Sequence, residues 1–396
     1  MKSIFILGGS RLQLPAIKKA KEKGLFVYVL DYDSEAVGIE YADKFLEIST
    51  IDKEAVYEAT INYKPDYIIT STSDMPVRTV SWVNEKLGKP SDISYQGAIY
   101  ATDKIAMRKR MRACGVPIPQ FYEVTCLGDF LEVAKGMPEQ FILKPADNAA
   151  SRGVVLVKKS ENTDFEKIYD YCLQYSRSGK VLVEEYMSGP EVSVESYTVN
   201  GTPHIITITD KIVTNEPFFV ELGHTEPSRL SHEIQEAIKS VAVAAIRAIG
   251  MENGPNHTEI KVTHDGPKLV EIAARLGGDF ITSKLVPLST GVDMIDCSFS
   301  TLLNEKVNYH NTKSRGAAIR FIQGGPGIIT AIDGVRDALA IPGVQEVDVY
   351  MTVGDRIRLL ENSADRVGHI IAIGDNADEA ARNAENALRK IVVKAS

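Results

Sequence analysis

Residues 257–278 read HTEIKVTHDGPKLVEIAARLGG, two strand-like runs around an Asp265-Gly266 pair, and such a pair between apolar-rich runs is a strong hairpin signal. Side chains alternate along a strand, so Glu271, Ala273 and Arg275 share one face wherever the backbone stays extended. A three-residue loop (264–266) or a five-residue loop (263–267) sets Glu259 directly opposite Glu271, whereas a loop of two or four residues does not. Opposed Cβ atoms lie roughly 4.5–5.5 Å apart, where like charges are destabilising. Something positive belongs between them. A pair of carboxylates suits Mg²⁺, a hard cation that binds through one or two carboxylates plus substrate phosphates. The plainer alternative is a Glu271–Arg275 surface ion pair.

Working outward, the 396 residues allow two or three domains, and 44% hydrophobic with 25% charged residues is ordinary for a soluble globular chain. A formal net charge of −8 argues against a general nucleic-acid or acidic-membrane surface, which directs attention to small-molecule partners. Cys114, Cys126, Cys172 and Cys297 show no CxxC spacing and no regular pairing with the seven histidines. A reducing cytoplasmic location and no structural zinc are the expectations. No uncharged apolar run reaches the length of a membrane span, and IFIL after Met1-Lys2-Ser3 is too short for a signal sequence.

The first ninety residues alternate strand and helix patterns, SIFILGG, LQLPAIKKAKEKG, FVYVLDYD and DYIITSTSD, which predicts a parallel α/β domain over 1–100. Gly8-Gly9-Ser10 does not fill the G-x-G-x-x-G spacing, so a tight strand-to-helix turn facing a small substrate is preferred to dinucleotide binding. The helical run YATDKIAMRKRMRACG ends at Gly115, and VPIPQ reads as a linker. Strand-rich segments then follow over 116–190 and 191–310, the latter with the helix SHEIQEAIKSVAVAAIRAIG. An α+β lobe is expected over 311–396, its last helix capped by Asn376.

Two further stretches carry chemistry. In ILKPADNAASRGVVLV, residues 142–157, Lys144 ends a strand and a loop of small residues follows, including Ser151 and Gly153. Backbone N–H groups of such a loop can approach phosphate oxygens, although a plain hairpin with an exposed lysine has the same pattern. VLVEEYMSGPEV, residues 181–192, ends a hydrophobic strand with Glu184 and Glu185, passes through Tyr186-Met187 and reaches Glu191, a segment able to hold an adenine edge and a ribose diol.

In order, Lys104, Lys144-Pro145 with its loop, EEYMSGPE, HTEIKV and LVEIAARLGG resemble the ATP-grasp superfamily over residues 100–280. The resemblance implies a multi-domain α/β and α+β fold, with a Rossmann-like pre-ATP-grasp domain, a lid subdomain over 116–190, a central subdomain over 191–310 and a C-terminal lobe. It also implies roles. Lys104 and Lys144 would contact ATP phosphates, with Ser151 and Gly153 in the lid. Glu184 would accept the adenine amine, Tyr186 and Met187 would form the hinge, Glu185 beside them would also bind the cofactor, and Glu191 would take the ribose. Glu259 and Glu271 would bind Mg²⁺, or Mn²⁺ in its place, while Arg275 and Lys211 would lie beside the transferred phosphate. Ala273 stands where many members carry asparagine, and the lid has one glycine where many have several.

The form EIAAR is more like the L-amino-acid ligase and carbamoyl-phosphate-synthase branches than D-alanine:D-alanine ligase. An ATP-dependent carboxylate–amine ligase working through an acyl phosphate is therefore implied, with an amino acid as substrate and a homodimer as the assembly to test. Arg320 is a candidate for gripping a substrate carboxylate through its planar fork, or else a structural ion pair. His224, in ELGHTEPS, is expected on a loop facing the site. Biotin-carboxylase-like, formyl-phosphate or carbamoyl-phosphate enzymes and a non-catalytic nucleotide-binding regulator are the rivals. A regulator would be expected to have lost the metal carboxylates or the phosphate lysines.

Overall fold

Ile4, Phe5, Ile6 and Leu7 are all fully buried, as a strand without polar positions must be when both faces of its sheet are covered. This strand, Ser3–Leu7, is inside a parallel sheet whose order is Lys44–Glu47, Phe26–Asp31, Ser3–Leu7, Tyr67–Ile69. The computed structural model describes residues 1–147, 152–160, 162–214 and 219–396. At the end of the first strand Gly8 adopts a φ of +107°, and the Gly9 N–H donates to Asp31 Oδ2 at 2.7 Å. The other oxygen of Asp31 accepts from the Asp33 N–H. Asp31 thus fastens the turn, which explains its position without a dinucleotide.

The predicted helix over 100–115 is divided. Tyr95–Thr102 and Lys104–Ala113 are separate helices, because Asp103 adopts an extended backbone and caps the second, accepting the Ala106 N–H at 2.8 Å. The break leaves Lys104 at the first helical position. Nor is VPIPQ a loose linker: Val116 is buried, Ile118 packs against the core, and the Pro117 carbonyl accepts the Leu269 N–H.

A four-stranded antiparallel sheet follows, ordered Phe121–Val124, Val181–Glu185, Gln140–Pro145, Val155–Lys158. The helices Leu127–Gly136 and Phe165–Gln174 cover it through Phe130, Ala134, Tyr169 and Cys172. The largest sheet has eight strands, all antiparallel, in the order Gly266–Ala273, Gly254–Thr263, Glu191–Val199, Thr202–Val213, Glu221–Glu226, Gly316–Ile322, Gly368–Gly374, Val344–Val349. It runs across residues 310 and 311, so the expected central subdomain and C-terminal lobe share one sheet.

Helix His232–Ile249 packs its apolar stripe against one end of this sheet. At the other end, Ala380 and Ala384 of helix Ala377–Leu388 meet Ala318 and Ala372, an all-methyl contact that brings helix and sheet close. Asn376 caps that helix by accepting the Glu379 N–H. A three-stranded sheet, ordered Arg356–Ile357, Gly327–Asp333, Val392–Ala395, completes the C-terminal part. Among the described residues no helix is long and apolar enough to cross a membrane.

Candidate active site

Between the four-stranded sheet and the edge of the eight-stranded sheet lies a chamber lined by Lys104, Lys144, Glu184, Glu185, Tyr186, Met187, Glu191, Lys211, Glu259 and Glu271. Contacts distant in sequence thereby bring together residues singled out one motif at a time. Glu259 does stand opposite Glu271, but by a route not expected. Thr263 pairs with Gly266, leaving a two-residue turn, and a β-bulge after Glu259 restores the pairing.

Each of these carboxylates is held by a cation. Glu271 Oε1 is 3.0 Å from Lys104 Nζ, and Glu259 Oε1 is 3.1 Å from Lys211 Nζ. Arg275 is not the partner of Glu271. It is held by Asp74 of the parallel domain, Nε to Oδ1 at 2.7 Å and Nη2 to Oδ2 at 3.1 Å.

Glu184 departs from its expected part, because both of its oxygens are engaged, one by Arg108 Nε at 2.5 Å and the other by Lys144 Nζ at 2.6 Å. These cations outweigh burial and bring its carboxyl down to about 2. It is thus the anchor of Lys144. Arg108 was not singled out in the sequence, although it lies one helical turn after Lys104 and shares its face. Burial, with Arg108 and Lys104 nearby, pushes the Lys144 ammonium below its ordinary range despite Glu184. Three cations here face two carboxylates, so this end of the chamber has room for more negative charge.

Lys211 is nearly inaccessible and makes contacts of 2.7 Å with Glu191 and 3.8 Å with Glu221 besides Glu259. Those three carboxylates outweigh burial and hold it well above the usual lysine range. Glu191 also receives Lys261 at 3.3 Å. Behind Glu259, His257 is pinned with Nδ1 2.6 Å from Glu195 and Nε2 3.4 Å from Glu259. Burial would lower its pKa, but Glu195 and Glu259 raise it to about 9. Neither Glu195 nor His257 was marked by the sequence reading; their alternation with Glu259 on neighbouring strands was the available signal.

Gly153 lines neither chamber. Its φ is +77°, and a Cβ there would come within 2.7 Å of Tyr175 Cβ and 2.8 Å of Pro145 Cγ, so it serves close packing just before strand Val155–Lys158. Ser151 lies outside the described residues. Arg320 does not reach the cleft. Its guanidinium donates to the carbonyls of His224 and Ile319 and to Glu385, which makes it a structural brace for the strand pairing.

A second chamber adjoins the first and shares Lys211, Glu221 and Glu259 with it. Thr72 and Asp74 of the parallel domain, Ser193 and His224 of the large sheet, Arg275 and Asp279 after the carboxylate hairpin, and Arg366 of the C-terminal part also line it. His224 is on strand Glu221–Glu226, not on the expected loop. The arginine brought here from the C-terminal part is Arg366, with Nη1 and Nη2 at 2.9 and 2.6 Å from Asp279.

Glu259 and Glu271 offer hard oxygen donors to one space, and among the described residues no group of three or more His, Cys, Asp or Glu side chains is arranged to hold a metal. They fit a divalent cation whose remaining ligands come from a bound molecule.

Residues 137–283 match the ATP-grasp domain family, and residues 320–396 match the L-amino acid ligase C-terminal domain 2. The stretch that matches the ATP-grasp domain family holds Lys144, Glu184, Glu191, Lys211, Glu259, Glu271 and Arg275. An uncharacterised protein of Sinorhizobium fredii is 31% identical over 295 residues, covering 73% of this chain and 60% of that protein. Alanine–anticapsin ligase of Bacillus subtilis is 29% identical over 231 residues, covering 53% of this chain and 48% of the ligase. The chain therefore spans about half to three-fifths of the length of these curated relatives. The crystal structure of an L-amino acid ligase from Bacillus licheniformis superimposes with a TM-score of 0.85 at 20% identity, covering 100% of this chain and 99% of that one. At that identity the likeness is one of fold alone, and it extends over the whole of this chain.

Proposed function

We propose that this ATP-grasp protein is an ADP-forming carboxylate–amine ligase that joins an amino acid to a second amine through an acyl phosphate. The observation that carries this reading is the pair of adjoining chambers with Lys211 and Glu259 in their common wall. At the Glu184 end of one chamber Lys104, Arg108 and Lys144 face Glu184 and Glu271, a local excess of cations that a chain of phosphates would satisfy. The other has Arg275, fixed by Asp74, beside the wall.

Phosphoryl transfer asks for positioning and charge neutralisation more than covalent chemistry by the protein. Lys104 and Lys144 would bind phosphate oxygens, and the Glu185–Met187 segment would border the base, with Glu191 toward the ribose. Lys211 would face the phosphoryl group from the wall, and Arg275 would orient the acceptor carboxylate. Glu259 and Glu271 would hold Mg²⁺, which when bound supplies positive charge against the phosphates. The match to the L-amino acid ligase C-terminal domain and the likeness to alanine–anticapsin ligase support an amino acid as substrate.

The test is a pairwise screen of L-amino acids with ATP and Mg²⁺, reading phosphate release and separating nucleotides by chromatography. ADP and phosphate are expected, with both amino acids required for full turnover. AMP and pyrophosphate would overturn the mechanism. ADP formation that depends on bicarbonate and on no amino acid would favour a carboxylating enzyme instead.

A further inference from the structure

Ser193 and His224, both buried and both lining the second chamber, each have a polar atom without a hydrogen-bond partner among the described residues: Ser193 Oγ and His224 Nδ1. Buried polar groups are paired in the great majority of cases. Orphaned atoms in side chains that border a chamber are therefore the ones a ligand would satisfy.

His224 carries the stronger signal because its other nitrogen is fixed. Nε2 lies 3.2 Å from Asp279 Oδ2, and Asp279 is itself gripped by both terminal nitrogens of Arg366. The Arg366 guanidinium in turn lies 3.7 Å over the Phe321 ring and donates from Nε to the Ser363 carbonyl. Hydrogen bonds from Arg366 and His224 overcome burial and keep Asp279 far below the usual carboxylate range. An ionised carboxylate only accepts, so Nε2 carries the hydrogen, and in the neutral ring Nδ1 keeps its lone pair. This tautomer follows from the partners, not from an observed hydrogen. The charged groups around the ring are Lys211, directly opposite on the neighbouring strand, and Asp279 with Arg366 behind it.

We infer that His224 is the general base of the amide-forming step, with Asp279 as its positioning residue, an assignment that rests on the ligase reading above. Amines reach a neutral site as ammonium ions without a free electron pair. His224 Nδ1 takes one proton from the ammonium, and the freed nitrogen attacks the acyl-phosphate carbon. A C–N bond forms, the carbon–oxygen bond to the phosphoryl group breaks, and phosphate leaves with that electron pair. The second proton passes from the adduct nitrogen to the departing phosphate. Nothing is oxidised or reduced.

Hydroxylamine separates this role from activation, because it is already neutral at neutral pH and needs no base to attack an acyl phosphate. The probes are ATP, Mg²⁺ and the L-amino-acid pair that releases most phosphate in the screen, with hydroxylamine replacing the amine in a second assay. His224→Gln keeps a donor for Asp279 and has no basic nitrogen. Its amide formation is expected to fall by about 10²–10⁴-fold, the usual contribution of general base catalysis, while hydroxamate formation falls by less than about tenfold. Asp279→Asn should show the same split with a smaller loss. Amide formation near the wild-type rate in His224→Gln would overturn the proposal, and so would equal loss of amide and hydroxamate in both variants. If wild-type protein makes neither ADP nor hydroxamate, the ligase reading falls and the proposal with it.

Discussion

Glu184 shows how much a single buried carboxylate can organise. It holds Lys144 and Arg108 at once, and breaking one member of such a buried group leaves the others uncompensated. Its carboxyl lies at about 2 in the fold against an ordinary 4.5. A depressed carboxyl contributes stability that is fully present above the unfolded value and is lost as pH falls toward the folded one. The window is thus about pH 4.5 down to about 2, and the contribution is on the order of 3 kcal/mol. Denaturant titrations of Glu184→Gln should show lower stability than wild type at pH 7 and a flatter acid limb across that window. A parallel acid limb would mean that other carboxylates govern acid unfolding. The same variant should bind ATP more weakly, because Lys144 loses its anchor.

At the scale of elements, the turn into strand Val155–Lys158 depends on Gly153. A methyl group there meets Tyr175 and Pro145 while the backbone holds a φ that side chains resist. Gly153→Ala should therefore raise the KM for ATP several-fold with a smaller effect on kcat, measured by steady-state phosphate release; an unchanged KM would detach this glycine from nucleotide binding. The elements also show what was legible in the sequence. Alternation and the Asp265-Gly266 turn were enough to oppose Glu259 and Glu271, yet the loop was shorter than expected and the bulge compensated. A bulge leaves no fixed local signature in strands that mix charged and apolar residues as these do, so spacing alone could reach the right pair for an incomplete reason. The partners of the site were less visible. Asp74 meets Arg275 across 201 residues, Arg366 meets Asp279 across 87 and Arg108 meets Glu184 across 76. Such pairings follow from how sheets stack, and a charged residue in a sequence carries no mark of which distant charge it will face. Arg320 shows the converse, since its strand was foreseen and its direction was not.

Across the whole molecule, one sheet passes from the carboxylate hairpin to the last quarter of the chain. Strand Glu221–Glu226 pairs with Gly316–Ile322, so a chain cut before residue 316 would leave a central strand with an open edge, a template for aggregation. Expression of residues 1–315 should yield insoluble or oligomeric material, checked by size-exclusion chromatography; a soluble, cooperatively melting monomer would show that the C-terminal part folds as a separate unit. The wall between the two chambers has a different consequence, a coupling of one to the other. Lys211 is shared among Glu191, Glu221 and Glu259, so a molecule entering the second chamber first meets a cation already surrounded by anions. Phosphates arriving on the other side change that sharing for both rooms at once. Occupancy on one side is then felt on the other, and linkage makes the effect mutual. A non-hydrolysable ATP analogue should tighten amino-acid binding in a calorimeter, and the amino acid should tighten the analogue by the same factor. Each ligand would then hold the other in place, so that a bound nucleotide seldom faces an empty second chamber.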